Sequence, residues 1–179
     1  MSSSDHGRWH RGTARRALIS SLAAAVTLSA CTIQPLYGPS LSGGSVGASL
    51  AKVSVDPVND RVGQQVRNRL VFDLTGGSGT TEPIYQMHLS VSSSELPLGI
   101  TQVGIAPTVQ VTVAVTYELK KIGSPDIIVR NTSRATATYD RVTQGFANVR
   151  AKLDAEDRAA AVVADQIRTR VAIALATHA

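Results

Sequence analysis

The clearest signal in the chain is an alternation of apolar and polar residues over positions 108–119. Val109, Val111, Val113, Val115, Tyr117 and Leu119 fall on one side, and Thr108, Gln110, Thr112, Ala114, Thr116 and Glu118 on the other. A period of two is the mark of a strand with one face buried. The same period runs through Tyr85, Met87, Leu89 and Val91 against Gln86, His88, Ser90 and Ser92. It returns in Ile127, Val129, Ala135, Ala137 and Tyr139 against Ile128, Arg130, Thr132, Arg134, Thr136 and Thr138. Residues 51–56 give a shorter first strand that Pro57 stops. Gly123-Ser124-Pro125 turns the third strand into the fourth, while residues 94–107, bearing Pro97 and Pro107, are expected as a long loop joining the second to the third.

Two segments carry a helical period instead. Val62, Val66, Leu70 and Leu74 recur every fourth residue, after a cap at Asn59 or Asp60 and before the helix-ending cluster Gly76-Gly77-Ser78-Gly79. Ala160, Val163, Ile167, Val171, Ala174 and Leu175 form a stripe in a helix expected over about 150–176, with Asp154 and Asp157 suiting its positive end. The order strand-helix-strand-strand-strand-helix predicts an α+β two-layer sandwich: a four-stranded sheet with two helices on one face. The other face would present Thr, Ser, Gln and Arg.

The first 50 residues follow a different plan. Residues 1–16 are polar and basic, residues 17–28 are nearly uncharged, and Leu28-Ser29-Ala30-Cys31 closes the run. This is the order of a secretory signal. An apolar run of about 12 residues falls short of the ~20 that a spanning helix needs. Leu-Ser-Ala-Cys resembles a bacterial lipobox, which implies cleavage before Cys31 and a diacylglycerol with an N-acyl chain on that residue. One acyl chain binds a membrane only marginally, so stable anchoring takes more than one. Thr32, rather than Asp, after the cysteine suggests the outer membrane. The Gly/Ser-rich stretch 38–49 reads as a tether, reaching roughly 20 Å if it behaves as a coil. The expected organisation is therefore a signal over 1–30, an acylated Cys31 and tether over 31–50, and a domain over 51–179.

Charge and composition narrow the function. The full chain carries +5, but removing residues 1–30 takes four Arg and one Asp and leaves 14 basic and 12 acidic residues, a net +2. That gives no strong basic excess for nucleic acid. Cys31 is the only cysteine, so disulfides and cysteine metal sites are excluded once it is acylated. The mature chain would hold only His88 and His178, with no pair at metal spacing. Gly43-Gly44-Ser45-Val46-Gly47 matches the nucleophile-elbow pattern, yet it has linker before it and a short strand after it rather than a strand and then a helix. Asn131-Thr132-Ser133 matches a glycosylation acceptor by chance. No enzyme is expected, and no cofactor beyond the covalent lipid on Cys31.

The lipobox followed by Cys31-Thr32-Ile33-Gln34-Pro35-Leu36-Tyr37-Gly38 resembles the alphaproteobacterial form of the LPS-assembly lipoprotein family, LptE. Val113-Ala114-Val115-Thr116-Tyr117-Glu118-Leu119, Arg134-Ala135-Thr136-Ala137-Thr138-Tyr139-Asp140 and the helical stretches 154–161 and 164–167 agree with it. The resemblance implies a four-stranded sheet under two helices. It also implies an outer-membrane lipoprotein that helps a β-barrel translocon subunit assemble, plugs it, and aids lipopolysaccharide delivery to the outer leaflet. The expected partners are that barrel, lipopolysaccharide and the outer membrane. Arg130 and Arg134, four residues apart on one strand face, with Lys120 and Lys121 at the neighbouring hairpin tip, are candidate contacts for lipopolysaccharide phosphates. The alternative is an accessory lipoprotein of another outer-membrane assembly or secretion machine. A lipid-anchored hydrolase is the reading that the scarcity of histidine disfavours.

Overall fold

The computed structural model describes residues 46–77, 79–80, 82–99 and 108–178. The period-two segments form one mixed sheet in the order β1-β2-β3-β4: β1 (Val53–Val55), β2 (Tyr85–Leu98), β3 (Thr108–Lys121) and β4 (Ile127–Asp140). β1 runs parallel to β2, and the other neighbours are antiparallel. The helices are α1 (Val46–Leu50), α2 (Arg61–Thr75) and α3 (Gly145–Thr177). α2 packs on β1 and β2, and α3 on β3 and β4. One face of the sheet is thus covered, as the alternation predicts. The core lies between the layers, where Val109, Val111, Val113, Val115, Tyr117 and Leu119 of β3 are wholly buried against Val66, Leu70, Val163 and Ile167.

Four elements differ from expectation, each for a physical reason. Residues 46–50, expected as the end of the tether, are helical, because Leu50 seats in the core and draws that turn with it. β1 shrinks to three residues, with a parallel partner only over Tyr85–Met87. β2 runs on to Leu98, taking the first five residues of the expected loop 94–107 into the ladder with β3. Pro97 is tolerated there because, past residue 88, β2 has no neighbour but β3 among the described residues. Residues 100–107 of that loop lie outside the described residues.

α3 begins at Gly145, more than a turn before the expected start, with Gln144 at its N-cap. Asp154 and Asp157 are therefore interior residues and not caps. Asp154 accepts from Arg158 one turn on, at 2.9 Å, and Asp157 accepts from Arg61 of α2 at 3.1 Å. The cap of α2 is as expected: Asp60 Oδ1 accepts from the Gly63 amide at 2.7 Å, and Gly76 ends the helix in the left-handed region at φ 66°.

A bulge between Leu119 and Lys120 moves Ile127 opposite Lys120, while Val129 stays opposite Leu119. Ile127 therefore leaves the covered face, where strict alternation placed it, and stands on the open one. The outer edge of β4 is closed by side chains from α3. Arg158 donates to the Thr138 carbonyl at 2.9 Å and Arg170 to the Thr132 carbonyl at 3.2 Å. Both carbonyls would otherwise invite another strand.

Candidate functional site

The open face of the sheet carries the chemistry. Cross-strand register fixes its rows. His88 of β2 stands opposite Glu118 of β3, which stands opposite Arg130 of β4. Asp56, just past β1, completes the row: its Oδ1 accepts from Gln86 at 2.9 Å, and its Oδ2 lies 3.4 Å from His88 Nδ1. Lys120 Nζ reaches Glu118 Oε1 at 2.5 Å, and Arg130 Nε donates to Oε2 of the same carboxylate at 2.7 Å. Asp56, Gln86, His88, Glu118 and Lys120 line a shallow cavity of about 210 Å³. Lys120 and Arg130 hold the Glu118 carboxyl below the usual carboxylate range. The next row is neutral, with Thr116 and Thr132 hydroxyls 2.9 Å apart.

The four candidate basic residues are thus only partly gathered. Lys120 and Arg130 share one carboxylate. Arg134 lies on the same face opposite Ala114, two rows beyond Arg130, with no ion-pair partner among the described residues. Lys121 pairs with Tyr85, so by alternation it points to the other face at the rim of the sheet. In the sequence Glu118 is one more polar position of the alternation; the register makes it the shared partner of two cations.

A second ionic cluster ties the covered layer together. Arg61 Nη2 meets Glu156 Oε2 at 2.6 Å, Lys152 bonds Glu95, and the Tyr139 hydroxyl donates to Glu95 Oε2 at 3.0 Å. Lys152 holds the Glu95 carboxyl low, helped by Tyr139, and is itself raised by Glu95. Neither Glu95 nor Glu156 stood out by spacing, because their partners come from other elements.

Cys31 lies outside the described residues, as do residues 43–45 of the elbow-like motif. Among the described residues no group of three or more metal-ligating side chains is gathered. No described helix is long and apolar enough to cross a membrane.

These features define a small two-layer α+β domain whose open face carries hydrogen-bonding side chains and a cross-strand ion cluster centred on Glu118. The lipopolysaccharide-assembly family model, LptE, matches residues 50–171. The chain belongs to that family. Among solved structures it is similar to a lipoprotein from Caulobacter crescentus, at TM-score 0.63 and 24% identity over 75% of this chain and 97% of that one. A minor lipoprotein from Acinetobacter baumannii is similar at TM-score 0.50 and 16% identity, over 68% and 88% of the two chains. These likenesses show the fold. No curated protein matches the chain.

Proposed function

We propose that the protein is an outer-membrane lipoprotein, acylated on Cys31, that helps a β-barrel lipopolysaccharide translocon subunit to assemble and then plugs its lumen. The observation that supports this reading is the family match over residues 50–171, since that family serves lipopolysaccharide assembly. The family is a non-enzymatic accessory family, so the role is one of contact and not of reaction.

The geometry supports the finer reading in one respect. A large barrel has a polar interior. A plug should then present short hydrogen-bonding side chains, as Ser90, Ser92, Thr112, Thr116, Thr132 and Thr136 do on the open face. Arg134 is the candidate cation left over on the open face for a lipopolysaccharide phosphate, since Lys120 and Arg130 are engaged with Glu118 and Lys121 points to the other face. Depleting the protein from growing cells tests the role. Lipopolysaccharide at the cell surface should fall and folded barrel should be lost with it. Unchanged surface lipopolysaccharide would refute it.

A further inference from the structure

One end of the domain carries a set of exposed isoleucines that no packing among the described residues explains. The Ile122 amide donates to the Ile84 carbonyl at 2.9 Å, and the Ile84 amide donates to the Lys52 carbonyl at 3.0 Å. The two isoleucines are therefore adjacent across the ends of β2 and β3. The bulge in β4 adds Ile127, opposite Lys120, on the same side of the sheet. Ile84, Ile122 and Ile127 are 37%, 50% and 42% exposed. Lys52 and Lys121 flank them, both exposed, with Glu82 and Asp126 at the margin; Asp126 is bonded to Ser124. This is an apolar rim with a mixed polar border of two basic and two acidic residues.

The course of the chain says what lies against it. α1 ends at Leu50, two residues before Lys52, so the chain enters the described domain at this same end. Val46 is fifteen positions after Cys31. Fifteen residues keep Cys31 within about 50 Å of Val46 even at full extension. The 33 residues of α3 run about 50 Å, from the far end of the sheet back to this one. The other exposed apolar group, Val142, Phe146 and Val149, sits at the start of α3 and so at that far end.

We propose that the Ile84, Ile122 and Ile127 rim rests on the phospholipid leaflet that holds the anchored chain. Isoleucines enter the interfacial layer and Lys52 and Lys121 lie at headgroup level, the division of labour seen in interfacial anchors. The choice of leaflet rests on acylation at Cys31. The contact orients the domain with its far end, Leu98 and Phe146, pointing away from that leaflet. A domain entering a barrel far end first would keep this rim at the membrane surface.

Single-tryptophan probes test it on the protein purified from membranes. The chain's own tryptophan is Trp9, ahead of Cys31, so the unsubstituted protein serves as the blank. Ile122→Trp and Phe146→Trp are each mixed with vesicles of phosphatidylethanolamine and phosphatidylglycerol carrying brominated acyl chains. The expected result is a blue shift and loss of emission for the probe at 122, with the probe at 146 unchanged. Circular dichroism of both variants verifies the fold, and Ile127→Trp repeats the reading if Ile122→Trp does not fold. Quenching at 146 alone, at both sites equally, or at neither overturns the proposal. So does a blue shift at 122 that appears only with a co-purified barrel and without quenching by the brominated chains, which would make the rim a protein contact. Intact mass at Cys31 is read on the same sample, so a missing acyl anchor is told apart from a missing surface contact.

Discussion

Arg61 on α2 and Glu156 on α3 meet at 2.6 Å, and the glutamate is only 6% exposed although the arginine stands near the surface. This pair, with Asp157 as a second acceptor, joins the two helices whose apolar faces cover the sheet. Glu156 raises the pKa of the Arg61 guanidinium further. Removing one partner of a buried pair costs about 3–5 kcal/mol, and an exposed pair is worth about 0–1 kcal/mol. The half-exposed Arg61 falls between these. Arg61→Ala should therefore lower stability by about 1–3 kcal/mol, read as a shift of the urea midpoint at constant slope. Glu156→Gln in that background should restore part of the loss. A midpoint unmoved by Arg61→Ala would show that the pair contributes nothing.

Gly63 reverses a common rule. Alanine in place of a helical glycine normally stabilises by up to about 1 kcal/mol. Here a Cβ on residue 63 would stand 2.4 Å from Val58 Cγ1 and 2.5 Å from Asp60 Oδ2, the residue that caps the helix. Gly63→Ala should displace the cap and destabilise by about 1–2 kcal/mol, the range for a lost N-cap. The cost should shrink when Asp60→Ala has already removed the cap. A rise in melting temperature for Gly63→Ala would contradict this packing.

Acid should weaken the domain through Glu95 and Glu118. Both carboxyls are held below the ordinary value of 4.5, Glu95 first by Lys152 and Glu118 first by Lys120. A depressed carboxylate contributes stability that is fully present above its unfolded pKa. That contribution is lost as pH falls through the folded value. Melting temperature should therefore be flat from neutral pH down toward 4.5 and drop below it. Glu95→Gln should flatten the drop while lowering stability at neutral pH. An identical acid profile in the variant would remove Glu95 from the linkage.

Lipopolysaccharide binding by the four candidate basic residues should be weak and sensitive to salt. Exposed ion pairs contribute about 1 kcal/mol or less each, so Lys120, Lys121, Arg130 and Arg134 are best changed to Gln together, with circular dichroism to verify the fold. The fourfold variant should lose binding that the wild type shows at low salt and loses at high salt. Arg134→Gln alone should do more than Arg130→Gln, because Glu118 already holds Arg130. Salt-independent binding in the wild type would sink the patch.

The layers of this fold were legible because period two and period 3.6 separate cleanly in residues 62–74, 85–92 and 108–119. Residues that depend on a partner strand were not. The bulge that turns Ile127 to the open face has no local signature, since Ile127 and Val129 alternate as an unbroken strand would. Past residue 91 the side chains of β2 are exposed or only half-buried, so alternation fades there although the ladder continues to Leu98. The start of α3 was missed for a similar reason: none of its residues before Ala155 is fully buried, so the stripe begins late. Parity alone put Arg130 and Arg134 on one face, with Lys120 at the neighbouring hairpin tip. Only the register revealed that Glu118 takes two of them. The arginines on the edge of β4 act on backbone carbonyls, for which the sequence carries no spacing.

The most direct test of the central claim is co-purification. The protein is recovered from outer membranes in mild detergent, and what accompanies it is identified by mass spectrometry. The account predicts one large β-barrel, the lipopolysaccharide translocon subunit, in equal amount and resistant to washing, as an interface above ~1,000 Å² should be. Recovery of the protein alone, or with the barrel of a different assembly or secretion machine in equal amount, would contradict it.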